Sequence, residues 1–151
     1  MNLQVSEASQ SNYQRKILPW EQVEYDHELL KRVFENRRRN DIIMCAALID
    51  KVPNLAGLAR TSEIMNARCL VINNRAVCDL DEFKGVSVTS EKWLPMYEVQ
   101  EKDLYAYLEF QKSNGYKILG LEQTANSKML HEYKFPSKCV MLLGKEKEGI
   151  P

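Results

Sequence analysis

The sequence predicts an α/β fold in which a parallel β-sheet is flanked by helices, and two observations support this class. Apolar runs such as DIIMCAALID at 41–50 and CVMLL at 139–143 have the composition of strands that are covered on both faces. These runs alternate along the chain with segments whose apolar residues recur at helical spacing, a pattern typical of parallel sheets.

Composition is that of an ordinary globular protein. The 151 residues are enough for one domain with a sizeable core, and 44% of them are hydrophobic and 28% charged. The 21 basic residues equal the 21 acidic ones, so the chain as a whole carries no field that attracts nucleic acid or membrane. Any basic binding surface must therefore be local.

The cysteines and histidines favour neither a metal site nor a disulfide framework. Cys45, Cys69, Cys78 and Cys139 match no zinc-ligand spacing, and only two histidines accompany them. Because these cysteines lie in apolar segments, we expect reduced thiols that pack as small hydrophobes. No signal peptide or membrane-spanning run is found in the sequence, so we expect a cytoplasmic or nuclear protein without metal.

The first 40 residues are predicted to be an N-terminal extension with an amphipathic helix. Residues 1–14 are polar and predict disorder. From Asp26, a plausible N-cap, apolar residues recur at helical spacing as far as the arginines of NRRRN at 36–40. The folded domain is therefore expected over 41–151.

The remaining elements follow from local patterns. A helix is predicted from Asn54, ending where Asn66 adopts a left-handed conformation. A second helix is predicted over 101–113, stopped by Asn114 and Gly115. Further strands are expected at RCLVINN, near 96–99, and in the buried runs KILGLEQ and CVMLLG.

Ligands of parallel α/β sheets bind outside the carboxyl ends of the strands, so the search for functional residues narrows to four segments. These are DKVPN at 50–54, NNRAV at 73–77, LEQTANS at 121–127 and GKEKEG at 144–149.

The first of these segments leads into a pair of polar residues, Asn54 and Arg60. Pro53 biases the residue before it toward extended geometry, which favours Asn54 as an N-cap at the strand-to-helix junction. Six helical residues turn through about 600°, which leaves their side chains about 120° apart. The pair can converge on one ligand only if Asn54 lies in the loop. The alternative is a capping asparagine and an unrelated surface arginine.

The segment GKEKEG resembles a phosphate loop in its glycines but lacks the Lys-Ser/Thr that such a loop requires. Glu146 and Glu148 would also repel phosphate. An acidic loop at a strand end better suits a cationic ligand or one with hydroxyls and an amine; the alternative is an exposed turn with paired charges.

The basic run at 36–40 suits contacts with RNA phosphates. The alternative is a solvated helix end, where the helix dipole favours basic residues.

Taken together, ALIDKVPNLAGLARTSEIMNA, GYKILGLEQTANS and LLGKEKEGIP resemble the SpoU (TrmH) branch of the SPOUT RNA methyltransferases. The first family motif is an Asn followed six residues later by Arg, which Asn54 and Arg60 match. The second is a Gly-x-Glu-x-x-Gly loop, which Gly144, Glu146 and Gly149 match. The likeness runs from about residue 16 to the end and is closest to eukaryotic tRNA guanosine 2′-O-methyltransferases.

Two departures from the family pattern accompany this resemblance. Lys145 stands where relatives usually carry Asn, which places a positive charge beside the site of a cationic cofactor. The third family motif, a Ser/Asn-rich loop leading into the last helix, is not found. The resemblance therefore implies an α/β-knot (SPOUT) methyltransferase fold truncated before the C-terminal knot segment, and a chain that is inactive by itself.

The resemblance implies transfer of a methyl group from S-adenosyl-L-methionine to a ribose 2′-hydroxyl of tRNA. Arg60 would position the ribose or stabilise the developing alkoxide, since arginine is always charged and is a poor base. Asn54 would orient Arg60 or the substrate. Glu146 would hold the loop and place negative charge near the sulfonium.

The remaining roles are also implied by the resemblance. The cofactor would be lined by Leu121, Glu122, Gly144 and Gly149. The tRNA would be held by Arg37, Arg38, Arg39 and Arg75. The complete domain is expected to form a homodimer. Two alternatives remain: a noncatalytic RNA- or protein-binding module of the same fold, and an unrelated nucleotide-binding domain, which the lack of a glycine-rich loop after the first strand disfavours.

Overall fold

The computed structural model describes residues 36–151, of which Arg37–Pro151 form one compact unit. The helix predicted from Asp26 lies outside the described residues, except for the basic run at its end, which is irregular rather than helical from 37 to 39. The described elements are β1 (Asn40–Ala46), α1 (Val52–Ile64), β2 (Ala67–Ile72), α2 (Asp81–Ser87), β3 (Met96–Glu98), α3 (Leu104–Ser113), β4 (Lys117–Leu121) and β5 (Cys139–Leu143).

The five strands form one parallel sheet in the order β3-β2-β1-β5-β4, which confirms the predicted fold class. The chain runs outward from β1 through β2 to β3, and then crosses to the other side of β1 for β4 and β5. The direction of winding therefore reverses between β1 and β5. In an open α/β sheet this is where ligands bind, at the carboxyl ends of the two strands.

Helices cover both faces of the sheet, as alternate strand residues show. Ala46 and Leu70 belong to one buried cluster with Leu55 of α1 and Phe83 of α2. The neighbouring Cys45 belongs to a second cluster that contains Leu104 of α3. Because successive side chains of a strand point to opposite faces, α1 and α2 pack on one face and α3 on the other.

Helix α1 begins one turn earlier than the sequence predicted, and Asn54 is not its N-cap. The N-cap is Lys51, in extended conformation, and proline is tolerated in the first turn because its missing N–H would have no intrahelical partner there. Asn54 thus lies inside the first turn of the helix. At the other end Asn66 has a φ of +56°, which confirms the predicted left-handed residue.

Strand β4 was predicted to be buried, and this is wrong. It lies at the edge of the sheet, and all its residues are half-buried or exposed. Within the segment 122–138 that joins β4 to β5, the regular structure is a single 3₁₀ turn, Leu130–Glu132, so no α-helix packs over β4 from this connection. By contrast β5 is an interior strand, as its apolar run indicated.

The cysteine prediction is confirmed as far as burial goes. Cys45, Cys69 and Cys139 are buried free thiols, and Cys78 is partly buried. In the part of the chain that the structure describes, no helix is both long and apolar enough to cross a membrane.

Candidate functional site

The segments that follow β1 and β5 meet at the carboxyl end of the sheet through Glu146. Its Oε1 accepts a hydrogen bond of 2.8 Å from Nδ2 of Asn54, and its Oε2 forms an ion pair with Nζ of Lys51. Lys51 is the N-cap of α1 and Asn54 lies in its first turn. The two motifs found in the sequence are therefore joined side chain to side chain, at the point where the winding reverses.

The loop that carries Glu146, residues 144–149, is a tight hairpin that we call the site loop. The N–H of Lys145 donates to the carbonyl of Gly149 at 2.9 Å, and the N–H of Gly149 donates back to the carbonyl of Lys145 at 3.0 Å. Gly149 has a φ of +73°, a conformation that glycine adopts without strain. A Cβ on Gly144 would lie 2.6 Å from the carbonyl carbon of Gly149. Steric constraints thus favour glycine at both positions of the motif.

The ion pair between Glu146 and Lys51 shifts the pKa of both groups. The hydrogen bond from Lys51 lowers the pKa of the Glu146 carboxyl, with a smaller contribution from Asn54. The same contact raises the pKa of Lys51. Both groups are ionised at neutral pH, but their side chains are 60% and 49% exposed, so water screens the pair. The pair therefore orients the loop more than it stabilises the fold.

A second ion pair ties the site loop to the carboxyl end of β3. Nζ of Lys145 lies 2.7 Å from Oε1 of Glu101, whose own N–H donates to Oδ1 of Asn73 at 3.2 Å. The pKa of Lys145 is raised, chiefly by this hydrogen bond to Glu101. Asn73, the first residue of the segment 73–77, is thus connected with the site loop through Glu101. Sequence reasoning missed both Lys51 and Glu101, because an exposed lysine or glutamate carries no signal until its partner is known.

Arg60 does not join these contacts. It is exposed on α1 and makes no hydrogen bond or ion pair within residues 36–151. Since Asn54 lies in the same helix, the two side chains leave the axis about 120° apart. The condition under which they would converge on one ligand, Asn54 in a loop, is not met.

Two of the predicted cofactor residues border a groove beside β4, which we call the β4 groove. Its volume is about 680 Å³, and its lining includes Leu121, Glu122, Gln123, Asn126, Met129 and Tyr133. Oε1 of Glu122 accepts a hydrogen bond of 2.5 Å from the N–H of Ile150, so this carboxylate connects the groove with the end of the site loop. Gly144 and Gly149 lie next to the groove rather than in its wall.

The predicted RNA-binding arginines lie in two different places. Arg37, Arg38 and Arg39 precede β1 and so lie at the amino end of the sheet, whereas Arg75 follows β2 at the carboxyl end. Arg39 is 11% exposed and bonds Glu63 at 2.9 Å as well as two backbone carbonyls.

Arg37 also pairs with Glu63, at 2.5 Å, while Arg38 and Arg75 are exposed. Contact with RNA stays a prediction for all four arginines. In the described residues, no group of three or more metal-binding side chains is found.

Comparison with known proteins finds a matching family and similar curated proteins. Residues 41–151 match the SpoU rRNA Methylase family. The chain is 40% identical over 152 residues to the mouse tRNA (guanosine(18)-2′-O)-methyltransferase TARBP1, covering 97% of this chain and 10% of that protein. It is 37% identical over 114 residues to the tRNA (guanosine(18)-2′-O)-methyltransferase of Saccharomyces cerevisiae, covering 75% of this chain and 8% of that one. The chain thus spans about a tenth of the length of these curated relatives.

Solved structures share the fold. The A. aeolicus TrmH/SpoU tRNA modifying enzyme is similar with a TM-score of 0.65 and 23% identity, over 82% of this chain and 63% of that one. The AdoMet-bound rRNA methyltransferase from Sinorhizobium meliloti is similar with a TM-score of 0.63 and 16% identity, over 76% and 43%. At these identities the likeness shows the fold of the described sheet and helices.

Proposed function

The chain belongs to the SpoU rRNA Methylase family, and on that premise we propose that it serves in S-adenosyl-L-methionine-dependent 2′-O-methylation of guanosine ribose in tRNA. The observation that carries the proposal is the contact of Glu146 with Lys51 and Asn54. It joins the two family motifs at the β1–β5 junction, where α/β sheets of this kind bind their ligands.

The β4 groove suits the cofactor in size and chemistry. A volume of about 680 Å³ lies in the usual range for small-molecule sites, which are mostly apolar with a few polar groups. Leu121 supplies apolar wall, and Gln123 and Asn126 supply hydrogen-bonding groups. The carboxylate of Glu122 favours a cationic sulfonium nearby. S-adenosyl-L-methionine, when bound, would supply the methyl group, held by these side chains and by the backbone of the site loop.

Arg60 is proposed to act on the substrate. A ribose hydroxyl is a poor nucleophile, and negative charge develops on its oxygen as its proton leaves. Arginine is always positively charged in proteins, and Arg60 has no carboxylate partner among residues 36–151, so its guanidinium is available to stabilise that charge or a neighbouring phosphate. Its role is therefore electrostatic rather than that of a base.

Asn54 and Glu146 are proposed to be positioning residues. The amide of Asn54 is already committed to Glu146, so it acts by fixing the site loop to α1. The ion pair of Glu146 with Lys51 does the same from the neighbouring position. Because Lys51 offsets the negative charge of Glu146, the proposed role of Glu146 is to hold the loop rather than to attract a cationic ligand.

Recognition of tRNA is proposed to use exposed arginines. Arg75 lies at the carboxyl end of the sheet with the site loop, and Arg38 lies at the amino end. Arg37 and Arg39 spend part of their hydrogen-bonding capacity on Glu63, so we give them a smaller share of the RNA contact. A homodimer, which the family resemblance implies, and a cytoplasmic or nuclear location, which the sequence predicts, belong to the same proposal.

The test is a chimera of the mouse relative in which this chain replaces the matching segment. We expect the chimera to methylate guanosine in tRNA, and Arg60→Ala to abolish methylation while S-adenosyl-L-methionine affinity stays within about twofold. Arg68→Ala, an exposed arginine paired with Asp41 near the amino end of β2, is the control and should keep activity. A folded chimera without activity, or loss of cofactor binding in Arg60→Ala, would contradict the proposal.

The activity and cofactor binding of the chain by itself are measured separately. Because the chain spans about a tenth of the length of its curated relatives, we expect no turnover on tRNA and S-adenosyl-L-methionine binding weaker than millimolar by calorimetry. Tighter binding together with turnover would show that this expectation is wrong. Binding of tRNA without any activity in the chimera would instead favour a noncatalytic module of the same fold.

A further inference from the structure

We propose that Lys145 and Glu101 are a positioning pair that holds the site loop against the turn preceding α3. The ion pair joins Nζ of Lys145 to Oε1 of Glu101 at 2.7 Å. It involves the position at which this chain departs from the usual family sequence. Lys145, the residue that departs from the family pattern, thus has an ion-pair partner in this chain. The inference rests on the proposed function only in that the loop is proposed to help bind the cofactor.

Two neighbouring side chains of the site loop contact segments that lead into helices on opposite faces of the sheet. Glu146 contacts Lys51 and Asn54 at the start of α1, which packs on one face. Lys145 contacts Glu101 in the 3₁₀ turn Glu101–Asp103, which leads directly into α3 on the other face. The loop is therefore tied, at the end of β5, to the starts of two helices that pack on opposite faces.

Glu101 is itself held in place. Its N–H donates to Oδ1 of Asn73 at 3.2 Å, and the N–H of Asp103 donates to the carbonyl of Gln100 at 2.9 Å. The next residue, Leu104, is 7% exposed and belongs to the buried cluster under α3. An ion pair to a turn anchored in this way limits the movement of the loop more than a pair to a free side chain would.

The other charged residues of the hairpin show that this pairing is selective. Lys147 and Glu148 form no ion pair within residues 36–151, although they occupy the same small loop. Lys147 therefore serves as a matched control for Lys145. Pairing with Glu101 also offsets the positive charge that Lys145 would otherwise present to a cationic ligand.

Hydrogen exchange of the full chain tests the positional role without any ligand. The amides of Lys145 and Gly149 close the hairpin, so their exchange reports its opening. We expect about two- to fivefold faster exchange in Glu101→Gln and in Lys145→Met, as for loss of an exposed ion pair, and no change in Lys147→Met. The charge swap Glu101→Lys with Lys145→Glu should restore the wild-type rates. Unchanged exchange in Glu101→Gln, or no restoration in the swap, would overturn the proposal.

Cofactor affinity in the chimera separates position from charge. If Lys145 positions the loop, Glu101→Gln and Lys145→Met both weaken S-adenosyl-L-methionine binding, by about the same two- to fivefold as the exchange. If only charge matters, Lys145→Met tightens binding because a cation is removed, and that result overturns the proposal. A wild-type chimera that binds no cofactor counts against the proposed function, whereas the exchange measurements still decide whether the pair holds the loop.

Discussion

Nδ2 of Asn54 lies 2.8 Å from Oε1 of Glu146, a residue 92 positions later in the chain. This hydrogen bond connects the first turn of α1 with the site loop across the β1–β5 junction. Together with the ion pair from Lys51, it makes the strand-to-helix junction and the acidic loop one structural unit. Predictions about the loop can therefore be tested from either side of the contact.

The pKa of Glu146 should depend on Lys51. Hydrogen bonding to Lys51 lowers this pKa, so the contact is present above the ordinary glutamate pKa and is lost as the pH falls through the lowered value. We expect Lys51→Met to move the pKa up toward its ordinary value, and Asn54→Ala to move it less. An NMR titration of the Glu146 carboxyl carbon measures the change. Lys92→Met, an exposed lysine remote in sequence, is the control; an unmoved pKa in Lys51→Met would show that the ion pair does not form in solution.

Alanine should have opposite effects at two glycines. A Cβ at Gly144 would meet the backbone of Gly149 at 2.6 Å, and a backbone cannot give way cheaply, so Gly144→Ala should lower the free energy of unfolding by about 1–3 kcal/mol. Gly57 lies in α1 with open space around its Cα, so Gly57→Ala should raise it by about 0.5–1 kcal/mol. Urea denaturation measures both values. Equal effects of the same sign would contradict the close packing of the site loop.

Neighbouring arginines before β1 should differ in what they support. Arg39→Ala removes bonds to Glu63, Ala67 and Trp93, and should cost about 2 kcal/mol of stability. Arg38 is exposed, so Arg38→Ala should change stability by less than about 0.5 kcal/mol. If Arg38 contacts phosphate, its loss should weaken tRNA binding at low salt and reduce the salt dependence. Denaturation and tRNA titrations at two salt concentrations distinguish these roles; a destabilised Arg38→Ala would contradict the assignment.

The thiols should react in order of burial. Burial raises the pKa of Cys45 and of Cys69 to about 11, so at pH 8 both are neutral thiols and poor nucleophiles. Cys78 is partly exposed and should be alkylated first by iodoacetamide. Mass spectrometry of the native chain measures the order, and the same reaction in urea should label all four sites. Rapid native labelling of Cys45 would contradict the packing of β1.

Much of the fold could be predicted because burial leaves a periodic pattern. The apolar runs of β1 and β5 and the helical spacing in α1 and α3 survive in the structure, and so does the left-handed Asn66. Helix α2 was not predicted, because DEFKGVS is short and includes Gly85, so its pattern is weak. The exposure of β4 was missed because an apolar segment does not say whether a helix will cover it.

Part of the candidate site, like part of the fold, could be predicted from the sequence, and part could not. Resemblance to the family motifs led to Asn54, Arg60, Gly144, Glu146 and Gly149, since a motif is a local property that the chain carries in its own order. Spacing could not show that Asn54 lies within the helix, that Lys51 and Asn54 both bind Glu146, or that Lys145 reaches Glu101. Those contacts join residues that are between 44 and 95 positions apart. They exist only because the parallel sheet brings the carboxyl ends of its strands to one edge, where exposed charges of no distinctive pattern find partners.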